Sequence, residues 1–362
     1  MKIMSRVAMP DGQKKAMPDL TKFEKESDMH KSGFVTIIGN PNAGKSTLMN
    51  ALLGEELSIT SPKAQTTREK VLGILNGPDY QIVFSDTPGI LNPHYKLQES
   101  MLKSIENSVD EADVFVLITD VGEDFKNPAI IERVQKTGTP IILLINKIDT
   151  VTQEEAMQKI AYWQDKLPQA EVIPISALYK FQTQRVLDAI LERLPEGPAY
   201  YPKDELSDRN LRFFAAETIR KHILLQYKQE IPYSVQVEVE DYKEMPKLDR
   251  IGAVIYVEKD SQKGILIGKG GAALKRVGTD ARKEFEQFIG KKVFLDLRVK
   301  VLKNWRNDDR LLQRFGYDVS KRKPGQEANP DKLAAEARAA LKEMEGLVGA
   351  GDSAVEEGEP AL

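Results

Sequence analysis

Phe34-Val35-Thr36-Ile37-Ile38-Gly39-Asn40-Pro41-Asn42-Ala43-Gly44-Lys45-Ser46-Thr47 carries the strongest fold signal in the chain. Its apolar, β-branched start predicts a strand ending in glycine. A polar loop follows, and Thr47 to Leu53 reads as a helix. Strand, loop and helix with G-x-x-x-x-G-K-S at the junction form a phosphate-cradling pattern. The loop's N–H groups converge on an anion, and the start of the helix adds partial positive charge. Gly39 and Gly44 permit backbone angles and close approaches that a Cβ would block. Lys45 reaches the outer phosphates, and the Ser46 hydroxyl ligates Mg2+. Asn40, Pro41, Asn42, Ala43, Gly44, Lys45, Ser46 and Thr47 are the first candidate nucleotide-binding residues.

The next segment, Leu57 to Arg68, reads as a polar linker with one proline. Lys70 to Leu75 and Tyr80 to Ser85 read as strands around the turn Asn76-Gly77-Pro78-Asp79, a hairpin. Asp86-Thr87-Pro88-Gly89 comes directly after. Alone it is an ordinary turn. Behind a phosphate loop, Asp86 at the end of a buried strand is placed to hold Mg2+ through water, and Gly89 N–H to meet a terminal phosphate. Helix-like Leu97 to Asp110 leads to the buried runs Val114 to Thr119 and Pro140 to Ile145, with another helix between them. Continuous apolar strands alternating with helices predict an α/β fold, a mostly parallel sheet with helices on both faces. Such sheets bind ligands at the carboxyl ends of their strands, where these motifs fall.

Asn146-Lys147-Ile148-Asp149 ends the next strand. The Asp149 carboxylate matches the paired donors of a guanine edge, which adenine lacks. Asn146 can tie this loop to the phosphate loop, and the Lys147 stem can cover the base. Ser176-Ala177 follows strand-like Glu171 to Ile175 and offers N–H groups to the base carbonyl.

These motifs, with Gln65-Thr66-Thr67-Arg68, stand in an order that resembles the Ras-like GTPases of the translation-factor class, and most closely the bacterial Era family. The resemblance implies that Thr67 closes onto Mg2+ and the γ-phosphate, joining Ser46 and Asp86 as metal ligands and Lys45 as a catalytic residue. From the residues alone Thr66 is equally plausible. Ile90 stands where Ras-like relatives carry a glutamine that orients water, so slow intrinsic hydrolysis is expected. Asn42 resembles an asparagine that helps hold K+ in relatives; as a plain loop cap it needs no ion.

A Pro/Gly cluster over 195–205 predicts an inter-domain linker. Beyond it, Leu211 to Gln229 reads as a helix. His222 there suits a packed or surface position better than a ligand. Val235 to Glu240 alternates as a strand, with Ile251 to Glu258 as its partner. Ser261 to Ile267 reads as a short helix entering Gly268-Lys269-Gly270-Gly271, and Val293 to Val301 as a last strand. Gly268-x-Gly270-x-x-Ala273 formally fits a dinucleotide fingerprint, but that needs a strand–turn–helix in a βαβ unit. The better match is a G-x-x-G loop clamping a single-stranded backbone, in the order of a type II KH domain. The family resemblance extends through Asn304-Trp305 and Arg310 to Tyr317. Ile267, Gly268, Lys269, Gly270, Gly271, Lys275 and Arg276 are the candidate RNA-binding residues, with Ile267 expected to meet bases. Lys263, Arg282, Lys283, Lys291 and Lys292 crowd the same half.

The chain's 362 residues are too many for one ordinary core. The expected domains are a flexible extension at 1–31, a P-loop GTPase domain at 32–194, the linker, a KH domain at 206–317 and a tail at 318–362 with a frayed helix. A net charge of −3 excludes a chain-wide polycation, so a nucleic-acid surface must be local. The absence of cysteine excludes disulfides and thiolate metal sites. No apolar run suits a spanning helix or secretory signal. A soluble cytoplasmic monomer is expected, with peripheral contact at the inner face of the cell membrane left open. The combined expectation is a GTPase switch joined to an RNA clamp. By resemblance its partners are GTP/GDP, the 3′ end of 16S rRNA and the 30S subunit. A non-catalytic RNA adaptor and an ATP-using small-molecule kinase are the rivals, and Asn146-Lys147-x-Asp149 argues against the kinase.

Overall fold

The computed structural model describes residues 30–320. The expected N-terminal extension and the tail beyond Tyr317 fall almost wholly outside the described residues.

The first lobe is a six-stranded sheet in the order β2-β3-β1-β4-β5-β6. Its strands are β1 (Lys31–Gly39), β2 (Val71–Asn76), β3 (Tyr80–Asp86), β4 (Val114–Asp120), β5 (Ile141–Asn146) and β6 (Glu171–Pro174). Only β2 runs antiparallel, as the hairpin partner of β3. Helices α1 (Lys45–Leu53), α2 (Lys96–Asp110), α3 (Pro128–Lys136), α4 (Gln153–Lys166) and α5 (Thr183–Arg193) connect and flank them. The strands' alternation feeds two cores. Val35, Ile37, Val116 and Ile118 face α1 and α5, while Ile38, Phe115 and Leu117 face the side with Ile105, Ile130 and Trp163. Both faces are covered, which is why β4 and β5 read as unbroken apolar runs.

β1 starts earlier than its apolar run suggests, because Lys31 pairs with Tyr80. The segment expected as a linker is pinned to the sheet. Gly197 N donates to His30 O at 2.9 Å, Ser32 Oγ donates to Pro198 O at 2.6 Å, and the Gln81 side chain bridges the backbone of Tyr200 and Tyr201. β1 starts before its pairing with β4 begins at Val35, so its first residues have an open side, and a proline-broken strap bonds there.

The second lobe continues with α6 (Leu211–Gln226), α7 (Ile231–Ser234), β7 (Gln236–Lys243), β8 (Leu248–Val257), α8 (Asp260–Ile267), α9 (Ala272–Ile289), β9 (Lys292–Val301) and α10 (Asp309–Arg314). β8 lies between β7, antiparallel, and β9, parallel. The expected helix to Gln229 ends at Gln226, and β8 starts three residues before the expected Ile251. Ala253, Ile255 and Val257 pack under α6, α8 and α9. On the other face of β8, Val254 and Tyr256 meet Trp305, Phe315 and, from α2 of the first lobe, Leu97 and Met101. Lys96 adds an ion pair to Asp309 at 2.8 Å. Among the described residues, no helix is long and apolar enough to cross a membrane.

Candidate functional site

The carboxyl ends of β3, β1 and β5, on one edge of the sheet with β4 between the last two, carry Asp86, Gly39 and Asn146. Crowding explains the glycines. A Cβ on Gly39 would lie 2.2 Å from the Ile118 carbonyl oxygen, and one on Gly44 2.1 Å from Asn146 Nδ2. Gly44 also caps α1 with φ 101°, in the left-handed region that favours glycine.

Lys45 is buried, and its Nζ donates to the carbonyls of Gly39 and Asn40 at 3.1 and 2.9 Å. Burial pushes its pKa down to about 8, opposed by nearby Asp86. Asp86 is fully buried, and desolvation raises its pKa against the pull of Lys45 and of the hydroxyls around it. Ser46 Oγ donates to Asp86 Oδ2 at 2.7 Å. Thr67 Oγ1 stands 3.0 Å from Ser46 Oγ and 3.3 Å from the same carboxylate oxygen. Asp86 Oδ1 is buried without a hydrogen-bond partner. An orphaned carboxylate oxygen beside two hydroxyls costs free energy unless a cation fills the place. Three hard oxygen donors beside an anion site fit Mg2+, which takes few protein ligands and keeps waters and phosphate oxygens. Thr66, left open by the sequence, instead bonds Ser61 Oγ and the Lys63 carbonyl.

Beside this cluster lies a cavity of about 400 Å3, lined among others by Pro41, Asn42, Gly44, Thr47, Gly89 and Lys147. Asn42 and Lys147 both take left-handed backbone at φ 64°. A Cβ on Gly89 would sit 2.7 Å from Pro41 Cα, so the loop after β3 touches the phosphate loop. Asn146 joins three loops: its Nδ2 donates to Ala43 O at 2.7 Å, and its Oδ1 accepts from Ala177 N at 2.9 Å. Asp149 is exposed on a short 3-10 turn, while Ser176 is buried next to Ala177. The Lys147 ammonium pairs with Asp120 at 3.1 Å. Two predicted residues face elsewhere. The Asn40 side chain turns to the loop after β4, bonding Asp124 O, Glu123 and Lys126 N, so only its backbone lies at the site. Thr87 Oγ1 donates to Ile37 O, an internal brace, and Pro88 is buried behind it. Ile90 is fully buried with its N–H on the Gly39 carbonyl, so it offers water no polar group.

In the second lobe Gly268, Gly270 and Gly271 all have positive φ, at 72, 59 and 78°. The loop lies between α8 and α9, not after a strand, which removes the dinucleotide reading. Lys269, Lys275 and Arg276 are exposed around it. A groove of about 330 Å3 runs on from Gly271 between α9 and β9, past Leu274, Lys275, Gly278, Leu295 and Leu297. Ile267, expected to meet bases, is half-buried and packs in part against the lobe's core, while Ile265 is exposed at 53%. Three of the expected basic residues are paired with acids: Lys291 with buried Asp249, and Arg282 and Lys292 with Glu286. His222 pairs with Glu284 at 2.8 Å, a packed position as expected.

Residues without a sequence motif complete the site. Asn50 receives Leu57 N and Ser58 N on its Oδ1 at 3.1 and 3.0 Å and donates to Ser58 O at 2.7 Å, pinning the start of the 57–68 segment to α1. Ser58 Oγ is buried and, like Asp86 Oδ1, has no hydrogen-bond partner. Only its helical position, one turn after Ser46, could have marked Asn50.

Residues 34–147 match a family model described as a 50S ribosome-binding GTPase, and residues 230–306 match a KH domain. Two crystal structures cover 80% of this chain and 100% of their own, each at 38% identity. One is Era in complex with MgGDPNP and nucleotides 1506–1542 of 16S ribosomal RNA, with a TM-score of 0.77. The other is a variant of Aquifex aeolicus Era bound to GDP and AlF4−, with a TM-score of 0.76.

Proposed function

This chain belongs to the Era family of GTPases, and from that premise we propose that it couples GTP hydrolysis to a clamp for the 3′ end of 16S rRNA during 30S subunit assembly. In this proposal residues 32–194 form the GTPase domain and 206–317 the KH domain. Lys45 leaves the Gly39 and Asn40 carbonyls and donates to the outer phosphates. Ser46, Thr67 and Asp86 hold Mg2+, which neutralises charge on the phosphates when bound. Asp149 selects guanine, Asn146 holds the base and phosphate loops together, and Ala177 N–H lies beside the base. The γ-phosphate orders 57–68 and the 86–97 loop, and so changes how the second lobe docks. In this proposal Asn42, one of the cavity's lining residues, helps hold K+; equal hydrolysis rates in K+ and Na+ at matched ionic strength would remove that detail.

The observation that carries the reading is the Ser46–Thr67–Asp86 cluster with its orphaned Oδ1, beside a buried lysine whose ammonium is held by loop carbonyls. Support for the RNA clamp comes from the glycine loop, its exposed cations and the groove along α9. Crosslinking to total cellular RNA with GTP or GDP present, then sequencing the bound fragments, tests it. Enrichment of the 3′ end of small-subunit rRNA is expected; enrichment of unrelated RNA overturns the choice of partner.

A further inference from the structure

The segment that carries Thr67 is held on both sides by the second lobe. Arg220, on α6 and 1% exposed, donates through Nη1 to the Gln65 carbonyl at 3.2 Å and through Nη2 to the Thr66 carbonyl. Glu217, nearly one turn earlier, orients it by accepting from Nε at 2.7 Å. Just past Thr67 the direction of donation reverses. Buried Arg68 donates to the carbonyls of Val235 at 2.6 Å, Pro232 at 3.2 Å and Tyr233 at 3.3 Å, and lies 5.9 Å from the Trp305 ring centroid. Lys63 adds donations to the Leu224 and Tyr227 carbonyls at the end of α6. The Thr67 hydroxyl itself bonds Ser46 and Asp86. Its place is set by neighbours that the other lobe grips.

Buried guanidinium groups are costly unless their donors are used. Arg220 uses its donors on the Gln65 and Thr66 carbonyls and on Glu217, and Arg68 uses Nη1 and Nη2 on second-lobe carbonyls while its Nε has no partner. The contact therefore fixes main chain at 65 and 66, and the Arg68 side chain just past Thr67. It also connects to the RNA side. α6 packs on α9, with Phe214 and Phe288 ring centroids 5.2 Å apart and Lys221 paired to Glu284 at 2.8 Å. α9 is the helix that the glycine loop opens.

We infer that the second lobe positions the nucleotide site from a distance, with Arg220 as a positioning residue that keeps the Thr67 hydroxyl where a triphosphate-bound Mg2+ needs it. The inference rests on the proposed reading of Ser46, Thr67 and Asp86 as the Mg2+ site. Linkage makes the effect reciprocal: what the triphosphate gains from the grip, the RNA lobe gains from the triphosphate.

The test uses the full chain and four variants: Arg220→Met, Arg220→Lys, Glu217→Gln and Thr67→Ala. Affinities for MgGDPNP and MgGDP are measured side by side. Arg220→Met weakens GDPNP about tenfold, the scale of removing one charge-assisted hydrogen bond, and leaves GDP within about twofold, because the diphosphate has no terminal group for Thr67 to approach. Arg220→Lys restores part of the loss. Glu217→Gln, nearly isosteric, gives a smaller loss in the same direction and serves if Arg220→Met does not fold. An unchanged GDPNP/GDP ratio in Glu217→Gln and in any Arg220 variant that folds, with Thr67→Ala impaired, overturns the positioning role alone. An unchanged ratio in Thr67→Ala removes the Mg2+ reading, and this inference with it.

Discussion

The molecule has two glycine loops suited to meeting phosphate, and they differ in why the glycines are there. At Gly39 and Gly44 a Cβ would strike a neighbouring carbonyl or amide at just over 2 Å, whereas at Gly270 and Gly271 it would meet nothing within 4 Å. The second pair is required only by the sign of φ. The first loop is a closed socket braced by Asn146, Ile118 and the loop after β3, shaped for one anion. The second is an open cradle that a strand can lie across, with charge supplied by exposed Lys269, Lys275 and Arg276. Rigid recognition needs support from every side; sequence-tolerant backbone binding needs access and charge.

Lys45→Ala separates the two loops most strongly. It removes the socket's buried cation, and nucleotide affinity falls by more than about a hundredfold, the scale of charge-assisted hydrogen bonds made away from water. RNA affinity of the nucleotide-free protein stays within about twofold. Isothermal titration with GDP and with an RNA oligonucleotide reads both; unchanged GDP affinity would contradict the site assignment.

Gly39→Ala and Gly270→Ala separate the two loops by stability. The first forces a methyl into backbone and costs about 2–4 kcal/mol of stability. The second costs only the left-handed strain of about 1 kcal/mol. Thermal unfolding ranks them, and equal losses would show that the two loops are built alike.

The pH response is the smaller effect. Lys45 titrates near 8 in the nucleotide-free fold, below its ordinary 10.5. Phosphate oxygens favour the charged form, so above pH 8 binding must take up a proton and affinity falls as pH rises. GDP binds about tenfold more weakly at pH 9 than at pH 7. Lys45→Arg, whose charge persists, shows a shallower slope that isolates the lysine from titration of the base. For stability the sign is opposite. The unfolded chain holds more protons between pH 8 and 10.5, so the cost of the buried ammonium is complete below pH 8 and fades as pH rises through that window.

The socket is legible in sequence because its residues are local: Gly39 to Thr47, Asp86 to Gly89 and Asn146 to Asp149 each sit at one strand end. What depends on distant partners is not. Choosing Thr67 over Thr66 needs the positions of Ser46 and Asp86. The outward turn of Asn40 needs the loop after β4, and the half-burial of Ile267 needs the core beneath α8. Lys291 and Lys292 read as free charge until Asp249 and Glu286 are placed beside them. A proline-rich stretch reads as a linker because its partners, His30, Ser32 and Gln81, lie more than a hundred residues away.

RNA affinity measured by fluorescence anisotropy, with an oligonucleotide of the 16S rRNA 3′ end and the protein carrying MgGDPNP, MgGDP or neither, decides whether the two loops are coupled. At least about a fivefold difference between the di- and triphosphate forms is expected, the low end of ordinary coupling between sites. Equal affinities in all three forms would contradict it and leave the socket and the cradle as independent modules.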